Sequence, residues 1–235
     1  MTTTILLLHA FPLDARMWDG HREVLETRGY TVVAPDLPGE PEATFSAWAR
    51  RVLRLVGGDF VPVGVSMGGY LIFELWRQAP ERIRALVLAD TRAAPDTPEA
   101  RVARDELIAV AGEQGAGAVW ERMRGKLFAQ GADPEAVARA GEIALEQPIA
   151  GVVATLEAIR DRADSRPTLA TIGVPALVVV GEEDALTPPA AAEEIAAGIH
   201  GARLVLLPGC GHLPPLEKPE DFRAALLPFL GEVAA

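Results

Sequence analysis

The stretch Val63-Gly64-Val65-Ser66-Met67-Gly68-Gly69 constrains this chain more than any other. An apolar, strand-like segment runs into it and a helix-like segment runs out. The backbone must therefore turn from strand to helix at Ser66. A turn that tight crowds its neighbours. Side chains two positions before and after the serine collide, so the geometry demands glycine at 64 and 68. The serine hydroxyl then stands above the sheet at the N-terminus of a helix, where backbone N–H groups favour negative charge. The G-x-S-x-G pattern is short enough to arise by chance, so its meaning rests on what surrounds it.

Apolar runs at 5–9, 31–34, 61–65, 85–89, 176–180 and 203–207 are rich in Val, Leu and Ile. They are nearly continuous, as strands covered on both faces are. Helix-like stretches at 17–28, 45–56, 67–79 and 189–199 separate them, and a last one runs from Pro219 to about residue 230. Gly29 and Pro80 are the expected stops. This order predicts an α/β fold: a mostly parallel, doubly wound sheet with helices on both faces. Residues 95–166 break the alternation. They offer amphipathic patterns at 100–111, 118–129, 135–146 and 149–162, separated by joints such as Gly115-Ala116-Gly117. A block of helices between two strands of one sheet predicts an inserted helical cap over 95–166, with residues 1–94 and 167–235 forming the core domain.

The length of 235 residues suits such a core with one insertion. A net charge of −11 argues against nucleic acid or an anionic membrane as partner. The single cysteine, Cys210, excludes an internal disulfide. The first residues lack a basic segment and run quickly into His9 and Pro12, so they read as a strand and not a signal peptide. No apolar run has the length of a membrane span. The expectation is a soluble, cytoplasmic protein, monomeric or homodimeric.

A serine hydroxyl needs a base to take its proton and a group to orient that base. The histidines are His9, His21, His200 and His212. In a parallel sheet the working loops follow the carboxyl ends of strands. His212 follows the last strand in the loop Pro208-Gly209-Cys210-Gly211-His212, whereas His200 precedes that strand and His21 falls in the first helix. His212 is the expected base. Candidate acids follow the strand at 176–180: Glu182, Glu183 and Asp184, with Asp90 after an earlier strand as the competitor. An oxyanion needs two N–H donors. Met67, next after the serine, offers one, and Phe11, in the loop His9-Ala10-Phe11-Pro12, offers the other.

With these stretches in this order, the sequence resembles the α/β-hydrolase superfamily over nearly its whole length. The resemblance rests on Leu6-Leu7-Leu8-His9-Ala10-Phe11-Pro12-Leu13-Asp14, Val33-Ala34-Pro35-Asp36-Leu37-Pro38-Gly39, Gly64-Val65-Ser66-Met67-Gly68-Gly69, Leu86-Val87-Leu88-Ala89-Asp90-Thr91, Gly181-Glu182-Glu183-Asp184 and Gly209-Cys210-Gly211-His212. Within that group it is most similar to small capped carboxylesterases and enol-lactonases. The resemblance implies the α/β-hydrolase fold and puts the acid at Asp184, giving the chain order Ser66, Asp184, His212. Two positions depart from the pattern: Ala10 stands where a glycine is usual, and Glu40-Pro41-Glu42 replaces a His-Gly or Phe-Gly pair.

The resulting expectation is a serine hydrolase of ester or lactone bonds in a small, largely apolar molecule. A C–C bond hydrolase or a haloperoxidase-like enzyme would use the same three residues. A non-catalytic binding protein on this fold is the reading from another class. Trp120, Met123, Leu127 and Phe128 are the candidate cap residues for the substrate pocket. No metal or cofactor is expected: there is no H-E-x-x-H spacing and no phosphate-binding or dinucleotide glycine pattern.

Overall fold

The computed structural model describes residues 3–37 and 44–234. The departure at Glu40-Pro41-Glu42 lies outside the described residues. The six expected apolar runs form one parallel sheet: β1 (Thr4–Leu8), β2 (Thr31–Val33), β3 (Phe60–Val65), β4 (Leu86–Ala89), β5 (Ala176–Gly181) and β6 (Arg203–Leu207), in the spatial order β2-β1-β3-β4-β5-β6. The order reverses beside β1, so the chain winds outward in both directions from the centre. Leu8, at the end of β1, registers with Gly64 of β3.

Alternation along the strands divides the core. Leu6 and Leu8 point into a layer formed with α2 (Phe45–Leu55), α3 (Met67–Gln78) and α9 (Pro189–Gly198). Ile5 and Leu7 point into the opposite layer, against α1 (Asp19–Thr27) and α11 (Pro219–Ala234). The central strands β1, β3, β4 and β5 are buried on both faces, which is why they read as unbroken apolar runs, whereas the edge strands β2 and β6 are partly exposed.

Helix ends follow local chemistry. Thr44 accepts a hydrogen bond from the Ala47 N–H at 3.1 Å and starts α2. Thr97, followed by Pro98, does the same for α4 (Pro98–Gln114) through the Ala100 N–H at 3.2 Å. The helix expected at 17–28 is two elements instead. Asp14 caps a 3₁₀ turn over Ala15–Trp18, and α1 begins only at Asp19. α11 also runs beyond residue 230, through Pro228, to Ala234.

Between β4 and β5 the chain forms α4 (Pro98–Gln114), α5 (Ala116–Leu127), α6 (Pro134–Leu145), α7 (Ile149–Arg160) and the short α8 (Arg166–Leu169). α4 packs on α7, and α5 on α6. The turn α10 (Pro214–Glu217) follows the loop after β6. Among the described residues, no helix is long and apolar enough to cross a membrane.

Candidate active site

Phe11, Ser66, Asp90, Asp184 and His212 follow the carboxyl ends of β1, β3, β4, β5 and β6 in turn. The sheet alone therefore brings residues 201 positions apart in sequence to one edge.

Ser66 sits at φ 54°, ψ −111°, a conformation that L-residues avoid. It is held from both sides. Its N–H donates to the Ala89 carbonyl at 2.9 Å, and its carbonyl accepts from Thr91 Oγ1 at 2.8 Å. A Cβ on Gly64 would lie 2.5 Å from the Gly68 carbonyl carbon, and one on Gly68 would lie 2.3 Å from the Leu8 carbonyl oxygen. Glycine at 64 and 68 is thus a requirement of backbone packing, the first against α3 and the second against β1.

His212 is buried, and its Nδ1 lies 2.8 Å from Asp184 Oδ2. Asp184 Oδ1 accepts the N–H groups of Leu186 at 2.8 Å and Thr187 at 3.0 Å, and Oδ2 also accepts the Thr187 hydroxyl at 2.5 Å. Burial pushes the Asp184 carboxyl up, but His212 and these donors outweigh it, and the group lies below its ordinary value. Ser66 and His212 line one cavity of about 340 Å³. Tyr70, Leu107, Met123, Ile159 and Leu186 supply its apolar walls.

The amides of Phe11 and Met67 have no hydrogen-bond acceptor among the described residues. Met67 opens α3, so its N–H is one of those a helix leaves free. The Phe11–Pro12 peptide is cis. Ala10, in place of the usual glycine, is buried, and its N–H donates to Met17 Sδ at 3.2 Å. Its φ is not positive, so no glycine is needed there.

A sequence model described as the alpha/beta hydrolase family matches residues 5–225. The chain belongs to that family. It is 35% identical to a thermophilic esterase from Thermogutta terrifontis, solved with malate bound, with a TM-score of 0.92 over 100% of this chain and 92% of the other. The enol-lactonase of Burkholderia xenovorans LB400 is 27% identical, with a TM-score of 0.88 over 98% of this chain and 92% of that one. The pimeloyl-[acyl-carrier protein] methyl ester esterase of Nitrosomonas europaea is 29% identical over 234 residues, 93% of this chain and 92% of that protein.

Of the four residues expected from the inserted helices of this α/β-hydrolase, Met123 lines the Ser66 cavity. Trp120 packs edge-on to Phe128, with ring centroids 6.4 Å apart, and both Trp120 and Leu127 are buried in the layer below. Phe128 lines a separate surface hollow with Ala129 and Val137. Among the remaining histidines, His200 is exposed, and His21 packs against Trp18 and Phe222, where burial lowers its pKa to about 4.

Two residues that sequence reasoning did not single out hold the loops in place. Glu217 accepts the N–H of Ala129 through Oε1 and that of Gly211 through Oε2, each at 2.9 Å. It ties the end of the inserted helices to the histidine loop. The Leu127 carbonyl adds a third tie by accepting the His212 N–H at 3.0 Å. The backbones approach so closely that a Cβ on Gly211 would lie 2.5 Å from the Ala129 nitrogen. On the other side, His9 Nε2 accepts the Leu37 N–H at 2.9 Å while Nδ1 donates to the Ala10 carbonyl at 3.1 Å. Burial lowers the His9 pKa, consistent with the neutral ring this bonding needs.

Asp90, Asp184 and His212 present ligand atoms within 4.8 Å of one another. The donor set does not favour a metal ion. Asp184 Oδ2 is already committed to Thr187 and His212, and burial together with the Asp184 charge raises the Asp90 pKa well above its ordinary value. A neutral acid beside a committed carboxylate is a poor cation ligand. Cys210 is buried, and burial raises its thiol pKa.

Proposed function

We propose that this chain hydrolyses carboxylic ester or lactone bonds through Ser66, His212 and Asp184. His212 takes the Ser66 proton as the hydroxyl oxygen attacks the carbonyl carbon. The Phe11 and Met67 amides hold the oxyanion that forms. His212 then protonates the departing alcohol, leaving an acyl group on Ser66. Water, deprotonated by the same imidazole, attacks that acyl group, and Ser66 recovers its proton as the acid leaves. Asp184 fixes the ring with Nδ1 protonated and stabilises its charged form. The helices between β4 and β5 act as a cap that shapes the substrate cavity.

The observation that carries this reading is one cavity lined by both Ser66 and His212, with His212 anchored on Asp184. Two unengaged amides beside the serine add to it. The likeness to an esterase at 35% identity and to an enol-lactonase at 27% supports ester and lactone bonds as the target. The apolar walls support a small substrate, largely hydrocarbon. The methyl ester esterase relatives make methyl esters the first to try. The lone buried thiol suits a cytoplasmic protein, acting as monomer or homodimer.

p-Nitrophenyl acetate hydrolysis by the wild type and by Ser66→Ala tests the reading. The expected loss is on the order of 10⁴-fold or more, because the three groups act as a unit. Equal rates in the two proteins would sink it.

A further inference from the structure

The chain carries a net charge of −11, yet the cavity beside Ser66 is lined by four cations, Arg92, Arg104, Arg122 and Lys126, against two acids, Asp96 and Glu106. One of those acids is taken. Asp96 Oδ1 accepts Arg162 Nη1 at 2.6 Å, with both side chains buried, and Oδ2 faces Arg104 Nη2 at 3.3 Å. Two guanidinium groups thus share a single carboxylate. Arg162 also lies over the Tyr70 ring, 4.4 Å from its centroid, so its charge is held behind one of the cavity's aromatic walls.

Arg92, Arg122 and Lys126 form no ion pair among the described residues. Arg92 is half-buried, and its guanidinium donates to the Leu186 carbonyl, while its Nε is buried without a hydrogen-bond partner. Arg122 and Lys126 are exposed and lie four residues apart on α5, a spacing at which like charges destabilise the helix. An acidic chain has nothing to gain structurally from gathering unpaired positive charge at the mouth of one cavity. An anionic ligand would use it, and a half-buried guanidinium binds a carboxylate more strongly than an exposed one does.

We propose that the substrate ester carries a second, free carboxylate, bound by Arg92 inside the cavity and drawn in by Arg122 and Lys126 at its rim. This rests on the ester-hydrolase reading and narrows it: a short apolar chain with an ester at the Ser66 end and a carboxylate at the other. Only the ester is cleaved; the free carboxylate is recognised and passes unchanged into the product.

The experiment compares kcat/KM for monomethyl succinate, glutarate and adipate with kcat/KM for methyl alkanoates of matched chain length. In the wild type at least one half-ester is expected to exceed its neutral partner by about 10-fold or more, the effect of one charge-assisted hydrogen bond. Arg92→Met is expected to bring that ratio towards one, Arg92→Lys to retain part of it, and the double variant Arg122→Gln, Lys126→Gln to lower it less than Arg92→Met does. Added salt is expected to shrink the rim contribution. If Arg92 only braces the Asp184 loop through Leu186, Arg92→Met slows both esters alike and leaves the ratio untouched, which overturns the proposal. Wild-type hydrolysis without preference at every length also overturns it while the ester-hydrolase reading stands. Absence of any Ser66-dependent hydrolysis overturns both.

Discussion

Asp90 and Asp184 are buried together at the ends of adjacent strands, yet their surroundings drive their carboxyl groups in opposite directions. Asp184 gathers the Leu186 and Thr187 amides, the Thr187 hydroxyl and His212 Nδ1. Asp90 Oδ1 accepts only the Gly181 N–H at 2.9 Å, and its Oδ2 is buried without a partner. Burial and the neighbouring Asp184 charge therefore keep Asp90 protonated where Asp184 is ionised. The pair is asymmetric before any substrate arrives.

Asp184→Asn and Asp90→Asn should accordingly behave differently. Losing the Asp184 charge removes the group that holds and stabilises the His212 ring, with an expected fall in kcat of about 10³–10⁴-fold. Asparagine at 90 resembles the neutral acid already there, so kcat should fall by less than about 10-fold. Steady-state rates on one ester decide between them. A larger loss from Asp90→Asn would transfer the orienting role to Asp90.

The same pair gives a stability prediction whose sign is set by the raised Asp90 pKa. Above the unfolded carboxyl pKa of about 4, the unfolded chain loses the Asp90 proton and the folded chain keeps it. The folded state then binds more protons, so stability falls as pH rises from there towards the folded pKa. Asp90→Asn removes this contribution. Its Tm should exceed that of the wild type at pH 7 and approach it near pH 4, with each kcal/mol moving Tm by about 2–4 °C. Thermal melts across pH 4–8 check this; parallel curves for the two proteins would contradict it.

How much of this was legible beforehand varies with the kind of signal. The central strands could be read because burial on both faces leaves an unbroken apolar run, and Ser66 could be read because its turn requires Gly64 and Gly68. The start of α1 could not, because Asp14 caps a 3₁₀ turn inside an apolar periodicity that continues across it. The choice among Asp184, Glu182, Glu183 and Asp90 needed the resemblance, since all four follow strand ends. Glu217 left no pattern at all, and His9 stood in a recognisable loop motif that did not disclose its role. Each has a backbone partner far along the chain, 88 residues away for Glu217 and 28 for His9, and a backbone N–H has no sequence signature. The residues of the inserted helices could not be sorted for a related reason: apolar side chains there look alike whether they face the cavity, as Met123 does, or pack beneath it, as Leu127 does.

Glu217 should matter to both stability and rate. Glu217→Ala strips the acceptors that the Ala129 and Gly211 amides have among the described residues, and each buried orphan costs about 1–3 kcal/mol. Gly211 precedes His212, so the proposed base loses an anchor as well. Urea denaturation should show a loss of about 2–5 kcal/mol, and kcat should drop with little change in KM. Glu217→Gln, which keeps one acceptor, should recover part of both.

Gly68→Ala tests the turn. The added methyl would sit 2.3 Å from the Leu8 carbonyl oxygen, and backbone cannot yield as a flexible side chain can. A destabilisation of about 3 kcal/mol or more is expected, with loss of activity as Ser66 moves. Gly112→Ala, where the methyl meets nothing within 4 Å, is the matched control in a helix and should be neutral or slightly stabilising. Equal stability of the two variants would mean that the turn relaxes freely.

Phe11 lines two cavities, the one beside Ser66 and a neighbouring one. Beyond its ring from the Ser66 cavity lies a second space of about 430 Å³, lined by His9, Met67, Pro148, Val152 and Thr155 among others. Phe11 therefore stands between the serine and further room, and its amide has no acceptor among the described residues. Phe11→Ala keeps the amide and removes the ring. The two spaces should then join, and the chain-length optimum for p-nitrophenyl esters should move to longer acyl or alcohol groups. A buried phenylalanine lost to alanine costs about 3–5 kcal/mol of stability, so rates are best compared well below the variant's Tm. An unchanged chain-length profile in a folded Phe11→Ala would show that the second cavity is not open to substrate. A uniform loss on all lengths would assign Phe11 to holding the loop alone.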